Sequence, residues 1–201
     1  MEADWSVALL TDDPVIAVPW SAEAGATDLS ERRFVDLRLD KDAIDEIEEA
    51  RARPGLRSAL LLLNCAGSPF WTAKCDVWSS GPDQGDLPLD PYEMDAQPGQ
   101  TDFGAGSYVD LLRRDPAWLS SFERQEQWMR QVTERLRATP ATAARIELVL
   151  RRAEVQRIPG FGVTWFVEGC GATAEDAAKK WDEALAMTLP VILDTILASA
   201  H

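Results

Sequence analysis

Two neighbouring stretches decide the fold class: ARIELVLRRAEV at Ala144–Val155 and FGVTWFV at residues 161–167. Along the first stretch one face is apolar, formed by Ile146, Leu148 and Leu150. The other face presents Glu147, Val149 and Arg151. Such alternation indicates a half-buried strand, and the second stretch is rich in aromatic and β-branched residues. Since Ile158-Pro159-Gly160 lies between them, we predict an antiparallel hairpin.

Four more strands are predicted upstream of this hairpin. Residues 6–11 and 15–20 flank Asp12-Asp13-Pro14, which indicates a second hairpin, and a polar loop is expected at 21–33. Residues 34–39 alternate as a half-buried strand. The strand at 70–78 is expected to turn Trp71, Ala73, Cys75 and Val77 towards the core. Its other face would carry Phe70, Thr72, Lys74, Asp76 and Trp78.

Helices are predicted between and after these strands. One begins after Asp40, and Pro54-Gly55 separates it from another at 56–63. A short helix is expected after Ser107, and the longest begins at Pro116 and ends before Pro140. The last is capped by Thr173 and contains Pro190.

Strands and helices in this order predict a single α+β domain over residues 1–201, with helices on one face of a mostly antiparallel sheet. The order loosely resembles that of ferredoxin-like sheets, some of which dimerise face to face, a likeness that carries no functional weight. Residues 79–107 hold four prolines, five glycines and six acidic residues without Lys or Arg, so we predict a long acidic loop that acts as a lid. A linker between two domains is the alternative interpretation.

The composition argues against several classes of partner. The chain has 34 acidic and 20 basic residues, and the formal net charge of −14 disfavours binding to nucleic acid or an anionic membrane. The alternative interpretation is that the charge only keeps the protein soluble. The longest apolar run, Ala59 to Leu63, is far too short to span a bilayer. Three cysteines without a C-x-x-C motif and an acidic N-terminus predict a reduced, cytoplasmic protein.

Histidine chemistry is nearly excluded, because the one histidine is His201, the last residue. A Ser-His-Asp or Cys-His mechanism within one chain and a histidine-ligated metal are therefore not expected. We predict no metal and no cofactor.

The candidate site is the mixed-charge face of the sheet. Its predicted ligand-binding residues are Asp36, Arg38, Phe70, Lys74, Asp76, Trp78, Glu147 and Arg151, which Thr164 or Glu168 would join. Charges of both signs beside aromatic rings are typical of a pocket for a small polar ligand. The same pattern also fits a solvated sheet face with ordinary ion pairs.

Two function classes remain open from the sequence. The first is a non-enzymatic binding or interaction protein whose sheet face holds a small polar ligand or a second copy in a homodimer. The second is a histidine-free enzyme that uses Lys74 with Asp76 or Glu147 for acid–base chemistry under the loop.

Overall fold

The structure is a computed structural model that describes residues 1–19, 34–86 and 89–194. Its strands are β1 (Glu2–Ala8), β2 (Ile16–Val18), β3 (Phe70–Ser80), β4 (Phe103–Arg113), β5 (Ala144–Val155) and β6 (Ile158–Gly171). Its α-helices are α1 (Glu48–Ala52), α2 (Pro54–Asn64), α3 (Pro116–Leu119), α4 (Phe122–Arg137) and α5 (Ala174–Asp194). Short 3₁₀ helices lie at Asp42–Glu46 and Pro82–Gln84.

The six strands form one sheet in the order β1-β5-β6-β4-β3, and β2 also pairs with β5. The pairs β5–β6, β6–β4 and β4–β3 are antiparallel, whereas β1 and β2 run parallel to β5. The fold is therefore α+β with a mostly antiparallel sheet, which confirms the predicted class. The likeness to ferredoxin-like sheets is loose.

The main core lies between the sheet and helices α2, α4 and α5, and we call this side the helix face. Trp165 and Leu148 come from its central strands and are fully buried. Helix α5 approaches β6 so closely that a Cβ at Gly169 would lie 2.2 Å from the backbone nitrogen of Trp181. Glycine at this position therefore lets the helix pack directly on the strand.

The hairpin of β5 and β6 is confirmed, and β5 has the bounds expected from its alternation. The turn predicted at Ile158-Pro159-Gly160 is wrong, because these residues belong to β6 and the chain turns at Gln156 and Arg157, which have positive φ angles. The N-terminal hairpin is wrong, because β1 and β2 do not pair with each other and both line the same edge of β5. The first strand also begins earlier, at Glu2. The predicted loop at 21–33 lies outside the described residues.

Residues 34–39 were expected to form a strand, and this is wrong: the stretch is irregular and ends in a turn over 37–39. Backbone N–H groups of Leu39 and Asp40 donate to the carbonyl of Asp36, which closes that turn.

The predicted loop at 79–107 is shorter, and the helix after Ser107 is wrong, because β4 occupies Phe103–Arg113. A central strand that is buried on both faces lacks the alternation by which a strand is recognised. The long helix from Pro116 is divided in two, since Asp115 caps α3 and Ser121 caps α4.

Helix α5 follows its predicted cap, with the N–H of Asp176 donating to the Thr173 hydroxyl at 3.1 Å, and it includes Pro190. None of the helices in the described ranges is both long enough and apolar enough to cross a bilayer.

Candidate functional site

The sheet face turned away from α2, α4 and α5 is called the polar face. Its centre carries polar and aromatic side chains that alternate with the buried ones of the helix face: Lys74, Asp76, Trp78, Tyr108, Asp110, Arg145, Glu147, Arg151, Thr164, Phe166 and Glu168. The register places Asp76, Tyr108, Phe166 and Glu147 in one row across four strands. We call these eleven side chains together, and not only the four in the row, the central strip.

Asp110 is the most buried carboxylate of the strip, at 9% exposure. The Thr164 hydroxyl donates to its Oδ1 at 2.6 Å, and Nε of Arg151 donates to the Thr164 hydroxyl at 2.9 Å. Burial raises the pKa of Asp110 from 3.8 to about 6, although the Thr164 hydrogen bond and the charges of Arg151 and Lys74 act in the opposite direction. This carboxyl can therefore exist in either protonation state near neutral pH.

A bulge in β3 brings Lys74 towards Asp110. The pairing of β3 with β4 shifts between Thr72 and Cys75, so Ala73 and Lys74 together oppose Asp110. A bulge of this kind inserts one extra residue and turns the following side chains over to the other face.

Three aromatic rings form a group on the strip, and its nearest member to Asp110 along β4 is Tyr108, two residues away. Phe166 lies 5.8 Å from Tyr108 and 6.4 Å from Trp78, measured between ring centroids. Trp78 lies over Gly106, where an added Cβ would come within 2.4 Å of the indole ring. All three side chains are half-buried, so they form an apolar surface that remains accessible beside a buried carboxyl group.

Apolar clusters cover both ends of the polar face. At one end Met94, from the segment between β3 and β4, packs on Ala143 and Cys170, and Glu93 pairs with Arg145 at 3.3 Å. At the other end the buried members are Ile16, Val18, Trp71, Ala73, Leu112 and Ala153. The central strip thus lies between these two apolar clusters.

Arg145 and Glu147 of the strip form an ion pair at 3.6 Å. The Ser6 hydroxyl donates a hydrogen bond to Glu147 at 3.0 Å. Burial raises the pKa of the neighbouring Glu168. The positive charge of Arg145 acts against this shift, and the negative charges of Glu147 and Glu93 add to it.

The predicted site residues are divided by the structure. Lys74, Asp76, Trp78, Glu147 and Arg151 lie on the central strip, as Thr164 and Glu168 do. Asp36 and Arg38 come from the turn instead of a strand, and they lie against Trp71 at the end of the same face.

The prediction that Phe70 lies on the polar face is wrong. The prediction that Trp71 and Ala73 lie on the helix face is also wrong. Phe70 lies in the main core, 5.2 Å from Trp128, whereas Trp71 and Ala73 belong to a cluster on the polar face. The β3 bulge causes the exchange, because it reverses the alternation on which the prediction depended.

Tyr108, Asp110 and Phe166 were missed by the sequence analysis. The helix predicted after Ser107 covers Asp110, which hid the place of this residue in a strand. Recognising β4 as the partner of β6 would have revealed them, since Asp110 and Thr164 are directly opposed.

The described side chains include no cluster of three or more His, Cys, Asp or Glu residues arranged to hold a metal ion. What the strip offers is a carboxyl group that accepts hydrogen bonds, two cations beside it, and aromatic surface. Comparison of the chain with protein-family models, with curated proteins and with solved structures finds no match.

Proposed function

We propose that this protein binds a small polar ligand on the central strip of its polar face, as a binding protein and not as a catalyst. The observation that carries the proposal is Asp110, a carboxyl group set into the sheet and fixed by Thr164 and Arg151. Burying a carboxylate costs free energy unless it is well paired, and a ligand that donates a hydrogen bond to it would reduce that cost.

The aromatic rings support a ligand that has a flat or apolar part. Trp78, Tyr108 and Phe166 keep part of their surface exposed, and a contiguous exposed apolar surface is typical of a binding site. Binding sites commonly combine such apolar contact with a few placed polar groups that orient the ligand. An amine or hydroxyl group at Asp110 and a ring or alkyl part on the aromatic group would use both features.

A thermal-shift screen with aromatic amines and alcohols tests the proposal. Ligands that raise the melting temperature of the wild type should have a much smaller effect on Asp110→Asn, because an uncharged amide oxygen is a weaker hydrogen-bond acceptor than a carboxylate. Glu134→Gln makes the same kind of change on the exposed side of α4 and should behave as the wild type does. Hits that stabilise all three proteins equally would contradict the proposal.

A second copy of the chain is the other occupant expected from the sequence, since a homodimer through the sheet face would cover the same rings. Sedimentation velocity over a range of concentrations distinguishes the two. If the protein associates and Trp78→Ala or Phe166→Ala abolishes the association, the occupant of the strip is a second subunit and not a small ligand. A monomer throughout would leave the ligand as the occupant.

The enzyme interpretation gains one specific observation. Lys74 lies opposite Asp110, and a carboxyl group with a pKa of about 6 is suited to proton transfer near neutral pH. Asp110 would then take the part assigned to Asp76 or Glu147 in the sequence. Incubating each screening hit with the protein and analysing it by mass spectrometry separates the two functions, since a bound ligand is recovered unchanged.

A further inference from the structure

A cavity of about 290 Å³ lies at the end of the polar face, beside the central strip. Its apolar walls include Val18, Phe34 and Val155, and its polar and aromatic groups include Asp36, Arg38 and Trp71, with Gln156 beside Val155. This volume is close to the lower limit for small-molecule sites, so the cavity fits a small ligand or one part of a larger one.

Arg38 lies at this cavity in a specific arrangement. Its guanidinium carbon is 3.7 Å from the centroid of the Trp71 ring, and Nε and Nη2 donate to the two carboxylate oxygens of Asp36 at 2.8 and 2.6 Å. A guanidinium group is recognised by stacking on an aromatic face together with two parallel hydrogen bonds to a carboxylate. The chain's own side chain thus shows which chemistry this part of the cavity accepts.

The contacts of Arg38 are local and partly exposed. Asp36 is only two residues away in the same turn, and the Arg38 side chain keeps 28% of its surface exposed. A partly exposed ion pair contributes modestly to stability, and the two parallel hydrogen bonds place this one at the upper end of the range for such pairs. Trp71, at 3% exposure, belongs to the apolar cluster, so its ring would stay in place if Arg38 turned away into solvent.

We propose that Asp36 and Trp71 form a subsite for a guanidinium or alkylammonium group of a ligand, and that Arg38 occupies this subsite until the ligand displaces it. The apolar walls at Val18, Phe34 and Val155 would contact the alkyl part that carries the cation. This subsite does not depend on Asp110, so it goes beyond the function proposed above.

Butylguanidinium is a suitable probe, with uncharged butylurea as its match in shape. Binding is measured by calorimetry and by the shift of the Trp71 indole N–H resonance. The wild type should bind butylguanidinium weakly, and Arg38→Ala should bind it at least ten times more tightly, because the internal competitor is removed. Butylurea should bind to neither protein.

Three further results decide the proposal. Asp36→Asn in the Arg38→Ala background should lower the affinity at least tenfold, and Arg38→Lys should bind with an affinity between those of the wild type and Arg38→Ala. A folded Arg38→Ala protein that binds no probe, or that binds butylurea equally well, would overturn the subsite. Binding to Arg38→Ala but not to the wild type at any concentration would also overturn it, since Arg38 would then be a permanent part of the fold.

Discussion

At the scale of single residues, Asp110 separates this sheet face from an ordinary solvated one. An exposed carboxylate would keep a pKa near that of a model peptide, whereas burial raises that of Asp110 to about 6. Thr164 connects it to Arg151, so the carboxyl group has a fixed orientation before any ligand arrives. A site prepared in this way loses less conformational entropy on binding.

The raised pKa makes stability depend on pH. Between about pH 4 and about pH 6 the folded protein holds more protons on Asp110 than the unfolded chain does, so this residue's contribution to stability falls as the pH rises. Asp110→Asn stays uncharged and should be about 1–3 kcal/mol more stable than the wild type near pH 7.5, with no difference near pH 4. Urea unfolding at the two pH values measures this, and equal stability at both would contradict it.

Gly106 is needed for the position of Trp78. A methyl group there would lie within 2.4 Å of the indole ring, so Gly106→Ala should displace the ring from Phe166 and cost about 1–3 kcal/mol. Tryptophan emission and urea unfolding report the change. Gly67→Ala is the control, because an added Cβ at Gly67 meets nothing within 4 Å. Equal effects of the two substitutions would show that Trp78 is not held by this contact.

At the scale of elements, β4 explains most of what the sequence did not predict. Its residues are buried on both faces along nearly the whole strand, and Gly104, Gly106 and Ser107 resemble a loop in composition. The strand β5 was predicted with its correct bounds, because it alternates clearly. The β3 bulge could not be predicted, since it depends on pairing with β4 and not on local composition.

Arg113 links β4 to three other elements through its guanidinium group. It is 3% exposed, lies 4.1–4.5 Å from the rings of Phe70, Trp118 and Trp128, and its Nε and Nη2 find no hydrogen-bond partner in the part of the chain that the structure describes. Burial lowers its pKa to about 9. The charge is therefore costly here, whereas the length of the side chain fills the space.

Arg113→Met and Arg113→Ala separate these two contributions. Met keeps most of the volume without the charge, and its free energy of unfolding at neutral pH should equal or exceed that of the wild type. Ala leaves a cavity and should cost about 2–4 kcal/mol. Denaturant unfolding of both variants checks this. If Met were as harmful as Ala, the cation would be stabilising the three rings.

At the scale of the whole molecule, the two faces of one sheet have different roles. The helix face holds the main core, and the polar face holds a carboxyl group, aromatic rings and charges between two apolar ends. Alternation in β5 predicted which of its residues lie on each face, and five of the eight expected site residues lie on the central strip. The parallel pairing of β1 and β2 with β5 joins residues far apart in the chain, which local patterns do not encode.

The sheet topology predicts which strands have the most strongly protected backbone amides. Strands β4, β5 and β6 have neighbours on both sides, so their amides should exchange with deuterium more slowly than those of β1 and β3 at the edges of the described sheet. Hydrogen exchange followed by mass spectrometry measures this order. Protection in β3 equal to that in β5 would mean that the edge of β3 is covered.

Protein-observed NMR with the amine and alcohol hits tests the binding face most directly. The account predicts that resonances of Tyr108, Thr164 and Phe166 shift on titration with the wild type, and that Asp110→Asn removes most of this shift. Shifts confined to other parts of the molecule, or equal shifts in the variant, would contradict it.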